Sequence, residues 1–187
     1  AALSIIGLVQ MASMFITVPL VKPLVAKFGK KEISIVGMAF ASVIYTALFF
    51  LKGIETMPFI AIVALAMMGM SFYSFITYAF ISDVIDYHEY LTSLREDATV
   101  YSIVSMSRKI GQAVAGGIGG VAIAAVGYNA TLGTQPQEVL DGIYMLGTLV
   151  PGILYGVIAV VLFMYPLNKQ KTIELSKELE AKRKANS

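Results

Sequence analysis

Residues 33–51 read ISIVGMAFASVIYTALFFL, an apolar run whose only polar side chains are hydroxyls. A bilayer hydrocarbon core of roughly 30 Å is crossed by about 20 such residues in an α-helix. Working outward, comparable blocks occupy Leu3–Val21, Met57–Phe80, Ala98–Val126 and Ile143–Pro166. None is patterned with the 2.0 or 3.6 alternation of a half-buried soluble element. Of the 187 residues, 57% are hydrophobic and 14% charged, against roughly 45–50% and about 25% in soluble domains. This excludes a soluble enzyme core, a disordered tail, a coiled coil and a collagen. The absence of cysteine excludes a disulfide scaffold, a thiolate metal site and a cysteine nucleophile. A net charge of +2 gives no case for nucleic acid. The fold class is all-α integral membrane, with spans at about 3–21, 33–51, 57–80, 98–126 and 143–166 and a polar tail over 167–187.

Prolines punctuate this pattern. Pro19 and Pro23 are expected to mark the exit of the first span, Pro58 opens the third, and Pro166 stops the fifth. Orientation follows from lysine and arginine. Lys22, Lys27, Lys30 and Lys31 cluster between spans one and two, and Lys169 to Lys184 populate the tail, whereas the alternate loops hold only Lys52. The C-terminus is therefore expected in the cytoplasm and the first residue outside. An odd number of spans, opening on Ala1-Ala2-Leu3, reads as the C-terminal piece of a longer chain. In the tail, Glu178/Lys182 and Glu180/Lys184 stand at i,i+4 spacing, which favours a short, solvated cytoplasmic helix.

Polar residues inside the spans carry the chemistry. Arg108 and Lys109 lie about 15–17 Å into the fourth span, where each charge costs about 2.5–3.5 kcal/mol on insertion scales. Ser102, Ser105, Lys109, Gln112 and Gly116 share one helical face. Such a stripe must face a water-filled cavity or a counter-charge, unless both cations snorkel to the surface. None of the twelve acidic residues is placed to meet Lys109 at depth, so its partner is expected from outside this chain. The run Gly111 to Gly120 suits close helix packing. In span three, Ser71, Ser74 and Tyr78 share a face. They either line a cavity or bond back to their own helix.

Beyond span three comes Ser82-Asp83-Val84-Ile85-Asp86-Tyr87-His88-Glu89-Tyr90, then Arg95-Glu96-Asp97, read as a loop. Asp83 and Asp86, one helical turn apart, can present to one partner. A metal site of Asp83, Asp86, His88 and Glu89 lacks a second histidine, and a catalytic acid–base pair lacks a nucleophile. Charge pairing across a gate with Arg95 fits a transporter best. The plain alternatives are a solvated acidic loop and, for His88 alone, a proton relay.

This Ser82–Tyr90 stretch with Arg95 resembles the A-D-x-V-D-Y-G-E loop signature of the glycoside–pentoside–hexuronide:cation symporters, within the major facilitator superfamily. Pro23–Lys31 is similar to their basic loop after helix eight. Tyr101 to Ala113 with Gly127-Tyr128 is similar to helix eleven, and Tyr165-Pro166-Leu167 to their usual ending. The five spans then correspond to helices 8–12, with the N-terminal helices of the same protein missing.

The resemblance implies alternating-access symport of a sugar with H+, Na+ or Li+, the substrate held near the midplane between two halves. It places Lys109 beside the cation site, Ser74, Ser105 and Arg108 in the cavity wall, and Asp83, Asp86 and Arg95 in a cytoplasmic gate. Gln112 and Tyr78 join the cavity from their helical faces. No cofactor is implied. The partners are a sugar or glycoside, a coupling cation and the lipid bilayer, and the location is the inner cell membrane. His88 departs from the glycine of the signature and Asp97 from a common glutamate. Thr92 to Arg95 with Ser107-Arg108-Lys109 looks nearest the glucuronide carrier branch, where Arg108 would neutralise a hexuronate. Two other readings stay open. One is a transporter of the same fold for lipid or another non-sugar substrate. The other is an intramembrane enzyme using Asp83, Asp86 and His88.

Overall fold

The computed structural model describes residues 2–185. They form helices α1 (Ala2–Phe28), α2 (Lys30–Phe50), α3 (Thr56–Thr92), α4 (Asp97–Ala125), α5 (Gln137–Met164) and α6 (Lys169–Ala185). Four of these, α1, α2, α3 and α5, are long and apolar enough to cross a membrane. α4 is also long enough at 29 residues. Arg108, Lys109, Gln112 and its glycines dilute its apolar character, and it falls outside that set.

α2 is the centre of the bundle, packed between α3 and α5. Its approach to α3 is made at two glycines. A Cβ on Gly37 would lie 2.5 Å from the Gly69 carbonyl oxygen, and the reverse holds for Gly69. Small residues allow such backbone contact, which is how helices associate where lipid tails are as apolar as leucine. On the α5 side, Gly152 lies against Thr46 and Ser42, and the Ser42 hydroxyl donates to the Gly152 carbonyl at 2.7 Å. Met38, Ala41, Leu48, Ile60, Val63 and Ala66 fill the core around these contacts. α4 sits at the edge with no buried residue.

Three expectations are corrected. Pro19 and Pro23 do not end the first helix, which continues through both to Phe28. A proline removes one backbone donor, and neighbouring helices and hydroxyls make that tolerable in a membrane helix. The break comes instead at Gly29, whose φ of 106° belongs to glycine's territory and lets a single residue separate α1 from α2. Second, Ser82–Thr92 is helix rather than loop. α3 has 37 residues, about 56 Å at 1.5 Å per residue, and so projects well beyond a 30 Å hydrocarbon core. Ile81 and Ile85 continue its buried stripe, and it stops at Ser93, the one non-glycine residue with positive φ among the described residues. Third, the tail is the expected helix, largely exposed, but it is docked rather than free. α6, capped by Asn168 through the Lys171 N–H, lies across the end of α3 and buries Leu175 and Leu179.

Candidate functional site

α3 and α4 run antiparallel from the short turn 93–96. Tyr78 and Arg108 consequently lie at similar depth, roughly 21 and 17 Å from that turn. The Arg108 guanidinium donates to the Tyr78 hydroxyl at 3.3 Å, and the Lys109 ammonium donates to Gln112 Oε1 at 3.5 Å. Ser74, Tyr78, Ser105, Arg108, Lys109 and Gln112 are all exposed on the surface of this chain. Ser71 leaves the group: it is buried and donates to the Met67 carbonyl. Thr77 likewise bonds back to Tyr73. Among the described residues no carboxylate pairs with Arg108 or Lys109. The strip thus presents two uncompensated cations with hydroxyl and amide neighbours, a donor set suited to an anionic group.

The second cluster lies where α3 projects. Asp83, 5% exposed, pairs with Lys30 in the first turn of α2. Asp86 meets Arg95 at 3.1 Å and Arg183 at 3.7 Å. Glu89 accepts from Arg95 at 2.9 Å and from Arg183, and Arg95 also forks onto Asp97 at 2.9 and 3.0 Å. The expectation that Asp83 and Asp86 face one partner is therefore corrected. A three-residue step leaves them about 60° apart around the helix. That is enough to turn Asp83 toward α2 while Asp86 faces the α3–α4 turn and α6.

His88 takes neither carboxylate; its Nε2 lies 3.4 Å from Glu96. Asp83, Asp86 and His88 thus engage separate partners, with no convergence on a common reacting point. Glu89, then Asp97 and Asp86, push the Arg95 pKa above the ordinary arginine value. Glu89 does the same for Arg183.

Sequence reasoning missed Lys30, Glu89 and Arg183 as members of this cluster. Glu89 was within reach, since it stands three residues beyond Asp86, close enough for one long arginine side chain to reach both. Arg183 lies 94 residues from Glu89, and no local pattern announces that pairing.

The family described as MFS/sugar transport protein matches residues 1–169. The chain belongs to this family. It is 34% identical over 168 residues to a glucuronide carrier protein homolog of Escherichia coli, covering 89% of this chain and 36% of that protein. It is 32% identical over 173 residues to an uncharacterized symporter of Bacillus subtilis, covering 91% and 37%. A putative 2,3-dihydroxypropane-1-sulfonate exporter of Escherichia coli is 31% identical over 183 residues, covering 97% and 39%. The chain spans less than two fifths of the length of these relatives. A shorter match, 38% over 98 residues, is to a putative glycoside/cation symporter of Escherichia coli. The kinship with sugar:cation symporters expected from the Ser82–Tyr90 signature is thereby established. The all-helical chain is a multi-pass membrane protein of a transporter family.

Proposed function

We propose that the whole protein carries an acidic sugar or sugar-like solute together with a cation by alternating access, and that this chain supplies one wall of the pathway. The observation that carries the reading is the exposed strip Ser74, Tyr78, Ser105, Arg108, Lys109 and Gln112. Its two cations have no carboxylate partner within the described residues, on a helix with no buried side chain. Charge at that position is tolerable when it faces water or an opposing charge. An anionic solute and the carboxylates of a facing half would supply both. The names of two relatives add support, since a glucuronide and a dihydroxypropane sulfonate both bear an anionic group.

In this reading Arg108 grips the anionic group, Tyr78 and Ser105 position the hydroxyls, and Lys109 answers to the coupling cation. Asp83, Asp86 and Arg95 close the cytoplasmic end in an inner cell membrane, with the C-terminus inside. The experiment is counterflow in proteoliposomes of the full-length transporter, offering a glucuronide, a sulfonated sugar and a neutral glycoside, with Na+ and pH varied. A charge-assisted bond is worth about 1.5–3 kcal/mol. Arg108→Gln should therefore weaken the acidic substrate about ten- to a hundredfold and leave a neutral glycoside nearly unchanged. Equal losses for both substrates would refute the role of Arg108. Transport indifferent to pH and Na+ would refute coupling.

A further inference from the structure

We propose that the recess between the end of α1, the start of α2 and the start of α6 binds the phosphate of an acidic phospholipid, whose acyl chain lies in the adjoining α1–α3 groove. The recess has a volume of about 240 Å³, and its polar lining includes Lys30, Lys31, Lys169, Asn168, Thr172 and Asp83. Three lysines and one aspartate belong to that lining. The Glu32 carboxylate lies against Gly29 at the rim, and counting it still leaves the recess positive.

The way the lysines are bonded sharpens that imbalance. Only Lys30 is spent on a carboxylate, Asp83. Lys31 donates to the Tyr165 carbonyl at 2.6 Å and stands over the Phe163 ring. Lys169 donates to the carbonyls of Ala26 and Lys27 at 2.7 and 3.0 Å. Neutral carbonyls orient an ammonium without cancelling its charge, so two half-buried cations remain available to an anion.

Depth and shape select the source of that anion. The recess lies where α1 ends, where α2 begins and just beyond the end of α5, three helices able to cross a membrane. It therefore sits at the boundary between hydrocarbon and water, where headgroups lie. A second groove of about 460 Å³ shares Val25, Ala26 and Lys30 with the recess and continues past Val18 and Ile76. From Ala26 to Val18 it follows α1 for about 12 Å toward the membrane interior. A basic recess adjoining a largely apolar groove, whose one further lysine is Lys22, fits an amphiphile, and basic pockets between membrane helices are known to take acidic headgroups. The trimethylammonium of phosphatidylcholine would meet the lysines with like charge.

The test is native mass spectrometry of the full-length transporter released from nanodiscs of mixed phosphatidylglycerol and phosphatidylcholine. Wild type should retain phosphatidylglycerol in preference to phosphatidylcholine. The preference should fall about fivefold for each lysine neutralised in Lys31→Gln and Lys169→Gln. Lys31→Arg with Lys169→Arg should keep it, which separates charge from folding. Lys52→Gln, a cation outside the recess that pairs with Asp141, should leave it unchanged. Equal retention of the two lipids, or a preference unaltered by both glutamine substitutions, would overturn the proposal. Displacement of phosphatidylglycerol by millimolar inorganic phosphate would reassign the recess to a soluble phosphate and overturn the lipid.

Discussion

Lys30 and Asp83 are the residues on which the projecting end of α3 is fixed to the start of α2. Asp83 is buried while Lys30 keeps 29% of its side chain exposed, so the carboxylate is the partner left stranded if the pair is broken. Removing one member of a buried ion pair costs about 3–5 kcal/mol, and the exposure of Lys30 sets the lower end. Lys30→Met in the full-length protein is expected to lose about 3 kcal/mol, measured by thermal unfolding in detergent. Lys30→Met with Asp83→Asn should recover most of that loss. By contrast Arg95 sits among Asp86, Glu89 and Asp97 with nearly half its surface in water. Its substitution should alter the rate of transport more than the unfolding temperature.

Among the helices, α2 depends on the absence of side chains at its contacts. Any Cβ at Gly37 meets the Gly69 backbone, and backbone cannot yield as a flexible side chain can. Gly37→Ala should therefore cost about 1–3 kcal/mol by overpacking, seen as loss of monodisperse protein on size-exclusion chromatography after mild heating. Gly53 is a contrast, because a Cβ there meets nothing within 4 Å, although its φ of 81° strains a substitution.

The attachment of α6 combines two buried leucines with the partly exposed Arg183–Glu89 pair. Leu175→Ala with Leu179→Ala should release the helix, giving several-fold faster tryptic cleavage at Lys177 and Lys182. High salt should speed cleavage of wild type more modestly, since it screens only the partly exposed pair. Unchanged cleavage in the leucine variant would show that α6 is held by something else.

For the molecule as a whole, the lysine-rich end and the loop 126–136 lie at opposite ends of the bundle, and this chain brings no cysteine of its own. Single cysteines can therefore report sidedness. In a cysteine-free full-length background, Leu132→Cys should react in intact cells with a thiol reagent that cannot cross the membrane. Lys177→Cys should react only after permeabilisation. The reverse pattern would invert the orientation read from the lysines.

How much could be read in advance follows the range of each interaction. The helices α2 and α5 were legible because their apolar runs are local and uninterrupted. The continuation of α3 past Phe80 was not. The charges of Asp83, Asp86 and Glu89 looked like loop composition, whereas Ile81 and Ile85 hold the helix by packing.

By itself, then, the sequence determined the membrane class, the polar face of α4 and the lysine-rich side, because hydropathy and helical period act over a few turns. Only the tertiary structure decided that Asp83 answers to Lys30, that Glu89 is shared by Arg95 and Arg183, and that α6 is docked. Of those pairings, Lys30–Asp83 and Glu89–Arg183 join residues 53 and 94 positions apart. Which cation a carboxylate meets depends on how whole helices pack, and no local pattern carries that information.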